Sequence, residues 1–273
     1  MNNTTVSASS GFSLAIAAPL MFAILQILIP VLPQLGVGEP IGDQSDTVRS
    51  LVTPAGWAFS IWGPLYAGSI LFAVYQALPS QRDNGLLMQI RWPAASAFLG
   101  NAVWALYTQS FGLSVISALM ILFTLISLLI IMRRFVFWSA PLTSGERWCA
   151  VLPLSALASW LTAASIVNIA ATLKFHGVEG GDATPIIAAA IIVVGGVIAA
   201  AAFIRIQGNP PFALVFLWAL AAIYSSGGTE ASEVALATGI AALLVIVTTI
   251  VGLSSGGTTR WFGVRSSAPH LSI

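Results

Sequence analysis

Three short constellations carry what chemistry this chain can offer. Trp62 and Tyr66 lie four residues apart in "TPAGWAFSIWGPLYAGSILFAVYQ", residues 53–76. Asn101 and Trp104 lie three apart in "GNAVWALY", and Trp160, Ala164 and Asn168 follow at steps of four in "WLTAASIVN". Spacings of three and four place residues on one face of a helix. Each face then carries a large aromatic ring, with a carboxamide or a small residue beside it in two of the three. That set suits recognition better than turnover. An indole stacks on a flat apolar ligand, and an amide or phenol fixes its polar edge. Trp62, Tyr66, Asn101, Trp104, Trp160, Ala164 and Asn168 are the candidate ligand-binding residues.

Other chemistries lack their residues. The two histidines, His176 and His270, fall in a loop and a tail, and no HExxH motif occurs. No protein-ligated metal site or bis-histidine haem is expected, and no Ser–His–Asp arrangement has its histidine. The single lysine, Lys174, lies outside the apolar runs, so it is misplaced for a Schiff base within a helix. One cysteine, Cys149, excludes an internal disulfide. No basic block suggests nucleic acid. No catalytic residue is assigned, and no obligatory cofactor is expected.

These residues must be held by membrane helices. The 273-residue chain is 58% apolar and 7% charged, whereas soluble domains carry about a quarter charged residues. Apolar runs of about 20 residues, enough to cross a hydrocarbon core, recur along its length. Eight spans are expected, near 12–32, 53–77, 88–109, 112–132, 148–172, 185–204, 211–226 and 232–253. The first run continues to Leu32, longer than a signal-peptide core of about 7–15 residues, and is expected to stay in the mature chain. All spans should be helices, because an open strand leaves its backbone unpaired in lipid. Prolines punctuate several starts, at Pro54, Pro185 and in "NPP" at 209–211. The sixth span, "IIAAAIIVVGGVIAAAAF", reads as a close-packing helix.

Charge supports the count. With eight spans, one side collects Arg82, Arg91, Arg133, Arg134, Arg147, Arg205, Arg260 and Arg265, leaving Arg49 and Lys174 on the other with Glu39, Asp43, Asp46, Glu179, Asp182, Glu230 and Glu233. The positive-inside rule then makes both termini cytoplasmic, in what is expected to be a bacterial inner membrane. Trp57, Trp92, Trp138, Trp148 and Trp261 lie near span ends and read as an interfacial belt. Trp62, Trp104 and Trp160 lie deeper. The asparagines have two readings, ligand contacts or interhelical glue.

The first five spans resemble the TspO/MBR family, the tryptophan-rich sensory proteins related to the translocator protein. The resemblance rests on Pro54 with Trp62 and Tyr66 in the second span, Asn101 and Trp104 in the third, and Trp160, Ala164 and Asn168 in the fifth. It covers about residues 12–173. It departs in the first loop, "GVGEPIGDQSDTVRS", which lacks the family's Trp-Tyr-x-x-Leu-x-Lys-Pro stretch, and at Ala156 and Leu157, where the family has Pro-Tyr.

The resemblance implies an all-α, five-helix bundle, to which this chain adds three transmembrane helices (174–273). It also implies a tetrapyrrole-like or sterol-like ligand held between the helices under the first loop, and often a homodimer. Asp43, Asp46 and Arg49 either close over the pocket mouth or form a solvated loop. The expected function is sensory or regulatory binding of a flat hydrophobic ligand. The alternative is a transporter or facilitator of a small apolar compound, and an intramembrane enzyme is a weaker third reading. The remaining expected partner is membrane lipid.

Overall fold

The computed structural model describes residues 13–178 and 180–263. Glu179, Arg265 and His270, used in the charge and metal arguments, lie outside the described residues. Among the described residues there is helix and no strand. The long helices are α1 (Leu14–Leu28, continued by a 3-10 stretch to Leu35), α3 (Trp62–Ala77), α4 (Gly85–Phe111), α5 (Val115–Phe137), α7 (Leu152–Phe175), α8 (Thr184–Arg205), α9 (Pro210–Ile223) and α10 (Ser232–Gly252). Three short helices join them: α2 (Ile41–Thr47), α6 (Ser144–Glu146) and α11 (Thr258–Phe262).

Seven helical segments are long and apolar enough to cross a membrane. The remaining expected span, the third, is α4 and is less apolar. At 27 residues it is about 40 Å long at 1.5 Å per residue. It can carry Arg91, Asn101, Thr108 and Gln109 because all four are buried against protein. It starts three residues earlier than the apolar run suggests. Asn84 caps it, with Oδ1 accepting from the Leu86 and Leu87 amides at 3.0 and 3.1 Å, as an N-cap side chain does. The expected second span divides in two: Gly56–Ile61 forms a 3-10 turn, and Trp62 opens α3.

Five helices close a ring in which α1 packs on α3 and α4, α4 on α5, α5 on α7, and α7 back on α3. Outside it, α9 lies along α7, α10 on α9, and α8 on α10. The small residues of α8 do pack closely there. A Cβ on Gly196 would meet the Ala241 Cβ of α10 at 2.7 Å.

The ends of this up-and-down array differ. At the arginine-rich end, Arg91 lies inside α4, buried, and not in a loop. Its guanidinium donates to the Gln76 side chain (3.0 Å) and to the carbonyls of Gln76 (3.2 Å), Gln81 (2.9 Å) and Arg82 (3.1 Å). A cation on the orphan carbonyls of a helix C-terminus is favoured by both hydrogen bonding and the helix dipole. Trp261 is not in an interfacial belt. It is buried and donates to the Gln207 carbonyl at 2.9 Å. Beside it Arg260 donates to the carbonyls of Phe135 and Trp138 at 3.0 and 2.9 Å, so α11 ties α5 to the α8–α9 turn. Trp57, Trp92 and Trp148 are exposed, as a belt requires. At the other end Arg49 pairs with Glu230 at 3.3 Å.

Replacing Arg91 by Met should destabilise the protein by about 3 kcal/mol, since charged hydrogen bonds are lost and buried acceptors are left bare. Thermal unfolding in detergent measures this. Arg91→Lys should recover only part of the loss, because one ammonium cannot reach all four acceptors.

Candidate functional site

The three deep indoles meet. Close approach of α3 to α7 brings them together: a Cβ on Gly68 would meet the Pro153 Cβ at 2.8 Å, so glycine is required at that crossing. Trp62, the first residue of α3, then lies near-parallel to Trp104 of α4, with centroids 6.2 Å apart and planes at 28°. Its ring meets Trp160 of α7 edge-on at 6.1 Å and 86°. Phe59, from the 3-10 turn, also meets Trp160 edge-on, at 6.3 Å and 85°. Such offset and T-shaped pairs are worth about 0.5–1.5 kcal/mol each beyond the area they bury.

These rings wall a cavity of about 40 Å³ in the half of the ring away from the arginine-rich end. Trp62, Trp104, Trp160, Ala164 and Asn168 line it. Ala164 leaves the space that a larger side chain would fill. Asn168 accepts from the Trp104 indole N–H at 3.3 Å and donates to the Ala164 carbonyl at 2.9 Å. Tyr66 and Asn101 do not reach the lining. Tyr66 stacks behind Trp62 at 5.2 Å. Asn101 donates to the Gln26 side chain of α1 at 3.2 Å, which is the interhelical reading of that residue.

A lid covers the cavity. Ile41 and Ser45 of α2 face it, and Pro54, Phe59 and Leu113 complete the roof. Asp43 and Asp46 are exposed on the outer side of α2, so they are the solvated face of the lid. Helix α9 closes a flank with Ala219 and Ile223, and it also holds the lid. The Ala55 amide donates to the Ala222 carbonyl at 3.0 Å, Trp218 Nε1 donates to the Ala58 carbonyl at 3.3 Å, and Arg49 donates to Ser226 Oγ at 2.9 Å. Gly227 abuts the Leu51 carbonyl so closely that no side chain fits between them.

Sequence reasoning passed over the purely apolar part of the lining, Ala219 and Ile223 among it, and the partner of Asn101, Gln26. Ala219 and Ile223 are ordinary apolar residues in an apolar helix and carry no signal. Gln26 did carry one, as a lone carboxamide in the first apolar run whose only available partners are on other helices. The polar atoms left unpaired in this region point to what the site can accept. Trp160 is 3% exposed, and its indole N–H has no partner. It is a buried donor on a residue that lines the cavity, and such donors are rarely left unused.

Replacing Asn168 by Leu should cost about 1–2 kcal/mol by stranding the Trp104 N–H. Unfolding of Asn168→Leu, Trp104→Phe and the double variant measures this. The second change should cost little in the Asn168→Leu background, since Phe brings no donor to satisfy.

A family model described as TSPO-like protein matches residues 13–251, a range that includes α8, α9 and most of α10 as well as the five-helix ring. No curated protein and no solved structure matches the chain. An array of apolar helices with three indoles gathered in its interior, and a family match along nearly all of its described length, make the chain a member of the TSPO-like protein family.

Proposed function

We propose that this membrane protein is a receptor-type sensor or regulator that binds a flat hydrophobic ligand, tetrapyrrole-like or sterol-like, between α3, α4, α7 and α9. One observation carries the reading: three indoles from three helices share a cavity, and the N–H of one of them, Trp160, is buried and unpaired. The rings supply stacking surfaces, and the free N–H supplies one fixed contact for a carbonyl, carboxylate or ether oxygen.

The chemistry fits such a ligand better than the space does. Pockets for drug-sized ligands run to about 300–1,000 Å³, and this cavity, at about 40 Å³, holds only a few waters. The structure is therefore the closed form. Binding must displace Trp62, which is only partly buried, or lift the α2 lid, whose outer face already meets solvent. The five-helix ring is the binding unit in this reading, and α9 with the turn after it braces the lid.

A binder is favoured over a conduit by what fills the ring beneath the cavity. Phe72, Phe98, Leu154 and Leu157 are fully buried there, with Phe72 edge-on to Phe98 at 6.2 Å. No charged residue lines the cavity, so the site offers no ion coupling. The segregation of arginines supports both termini on the cytoplasmic side.

Titration with protoporphyrin IX should quench tryptophan emission and shift the porphyrin absorbance. Trp160→Phe keeps a ring and loses the donor, so affinity should fall about tenfold, the equivalent of about 1.4 kcal/mol. Unchanged affinity in Trp62→Ala, Trp104→Ala and Trp160→Ala would remove the pocket assignment. Reconstituted vesicles should show no transbilayer porphyrin flux above empty vesicles. Flux that depends on the protein would favour the facilitator reading.

A further inference from the structure

The aromatic cavity is not isolated. Next to it lies a void of about 20 Å³ that shares Ala163, Ala219 and Ile223 with its lining. That void shares Val52 with a much larger cleft, of about 380 Å³, between the ends of α7 and α8. The cleft is walled by Leu51, Ala170, Leu173, Ala188 and Ile191, with Lys174 at its edge. Leu173 and Ile187 of its lining are exposed apolar side chains. The three spaces adjoin through shared lining residues, from the cleft through the void to the aromatic cavity.

The packing explains this adjacency. Helix α8 leans on α10 and meets α7 at a thin seam. Ile166 of α7 reaches across to Gly195, where an added Cβ would lie 2.7 Å from its Cδ1. Val52 is common to cleft and void, and Ile166 and Ile192 line the void that lies next to the cavity. All are aliphatic, and Ile166, at least, can change rotamer without breaking a hydrogen bond.

We infer that the α7–α8 cleft is a lateral entrance through which an apolar, bilayer-dissolved ligand reaches the aromatic cavity, with Val52, Ile166 and Ile192 as its gate. This inference rests on the proposed binding function and adds the route, the ligand's source and a task for α8. The entrance favours compounds that partition into lipid, because Ala170, Leu173, Ile187, Ala188 and Ile191 form its helical walls, while Ser50, Lys174 and Thr184 make up its polar part. The lid then needs no wide opening to water, in keeping with its fastening to α9.

The test separates route from site by comparing kinetics with equilibrium. Full-length protein in lipid nanodiscs is mixed with vesicles carrying protoporphyrin IX, and tryptophan quenching is followed in time. Two blocked forms are compared with the wild type. One is Ala188→Trp. The other is Leu173→Cys in a Cys149→Ser background, coupled after folding to a bulky aromatic maleimide, which removes misfolding as a cause. Association and dissociation should both slow about tenfold in the blocked forms with Kd nearly unchanged, within the range over which one site's on-rates vary. Trp160→Phe should instead change Kd. Wild-type rates in both blocked forms would overturn the entrance and leave the pocket standing. Loss of affinity in the blocked forms without slower association would make the cleft itself the binding site and also overturn it. Absence of quenching in the wild type would remove entrance and pocket together.

Discussion

A carboxamide or an indole N–H in hydrocarbon has no water to fall back on, and the interior of this bundle is arranged around that constraint. Asn101 must meet Gln26, and Trp104 must meet Asn168, because each would otherwise cost several kcal/mol. Those two pairings link α1 to α4 and α4 to α7 across the ring, and they set which way α4 faces. Once α4 is turned that way, Trp104 points inward, and Trp62 and Trp160 pack on it. The site is thus a by-product of pairing buried polar groups, and among the indoles that line the cavity it is the Trp160 N–H that has no partner.

The helices were legible because apolar runs long enough to span a membrane are hard to mistake, and because arginines gather at alternate connections. The inward faces were legible because Asn101, Trp104, Trp160 and Asn168 repeat at helical spacing. What escaped was pairing at a distance. Nothing local to Asn101 says that its partner is Gln26, 75 positions earlier. Arg91 sits close enough to a span boundary to pass for a loop residue, yet the Asn84 cap starts the helix early and turns it inward onto the end of α3. Trp261 looked like a belt residue because proximity to a span end is all that spacing reports. The short α11 that buries it depends on contacts with Gln207.

The three later helices are more than an appendix. Helix α9 supplies part of the cavity wall and grips the segment from Arg49 to Phe59 through backbone and side-chain bonds. That segment separates the buried cavity from the α7–α8 cleft: Pro54 faces one space, and Ser50, Leu51 and Val52 face the other. The first loop departs from the pattern of the resembling family in this region, and the fastening to α9 accounts structurally for a lid built on different residues.

The grip of α9 on the first loop also has a bearing on how the molecule is made. Arg49 finds Ser226 across 177 positions of chain, and the Ala55 amide finds Ala222 across a similar distance. Contacts of such separation form slowly and only after both partners exist. During synthesis the five-helix ring can therefore insert and close while its roof is still unanchored. The chamber is finished only when α9 has emerged and docked, so every step of assembly before that leaves the tryptophans without α9's share of their cover.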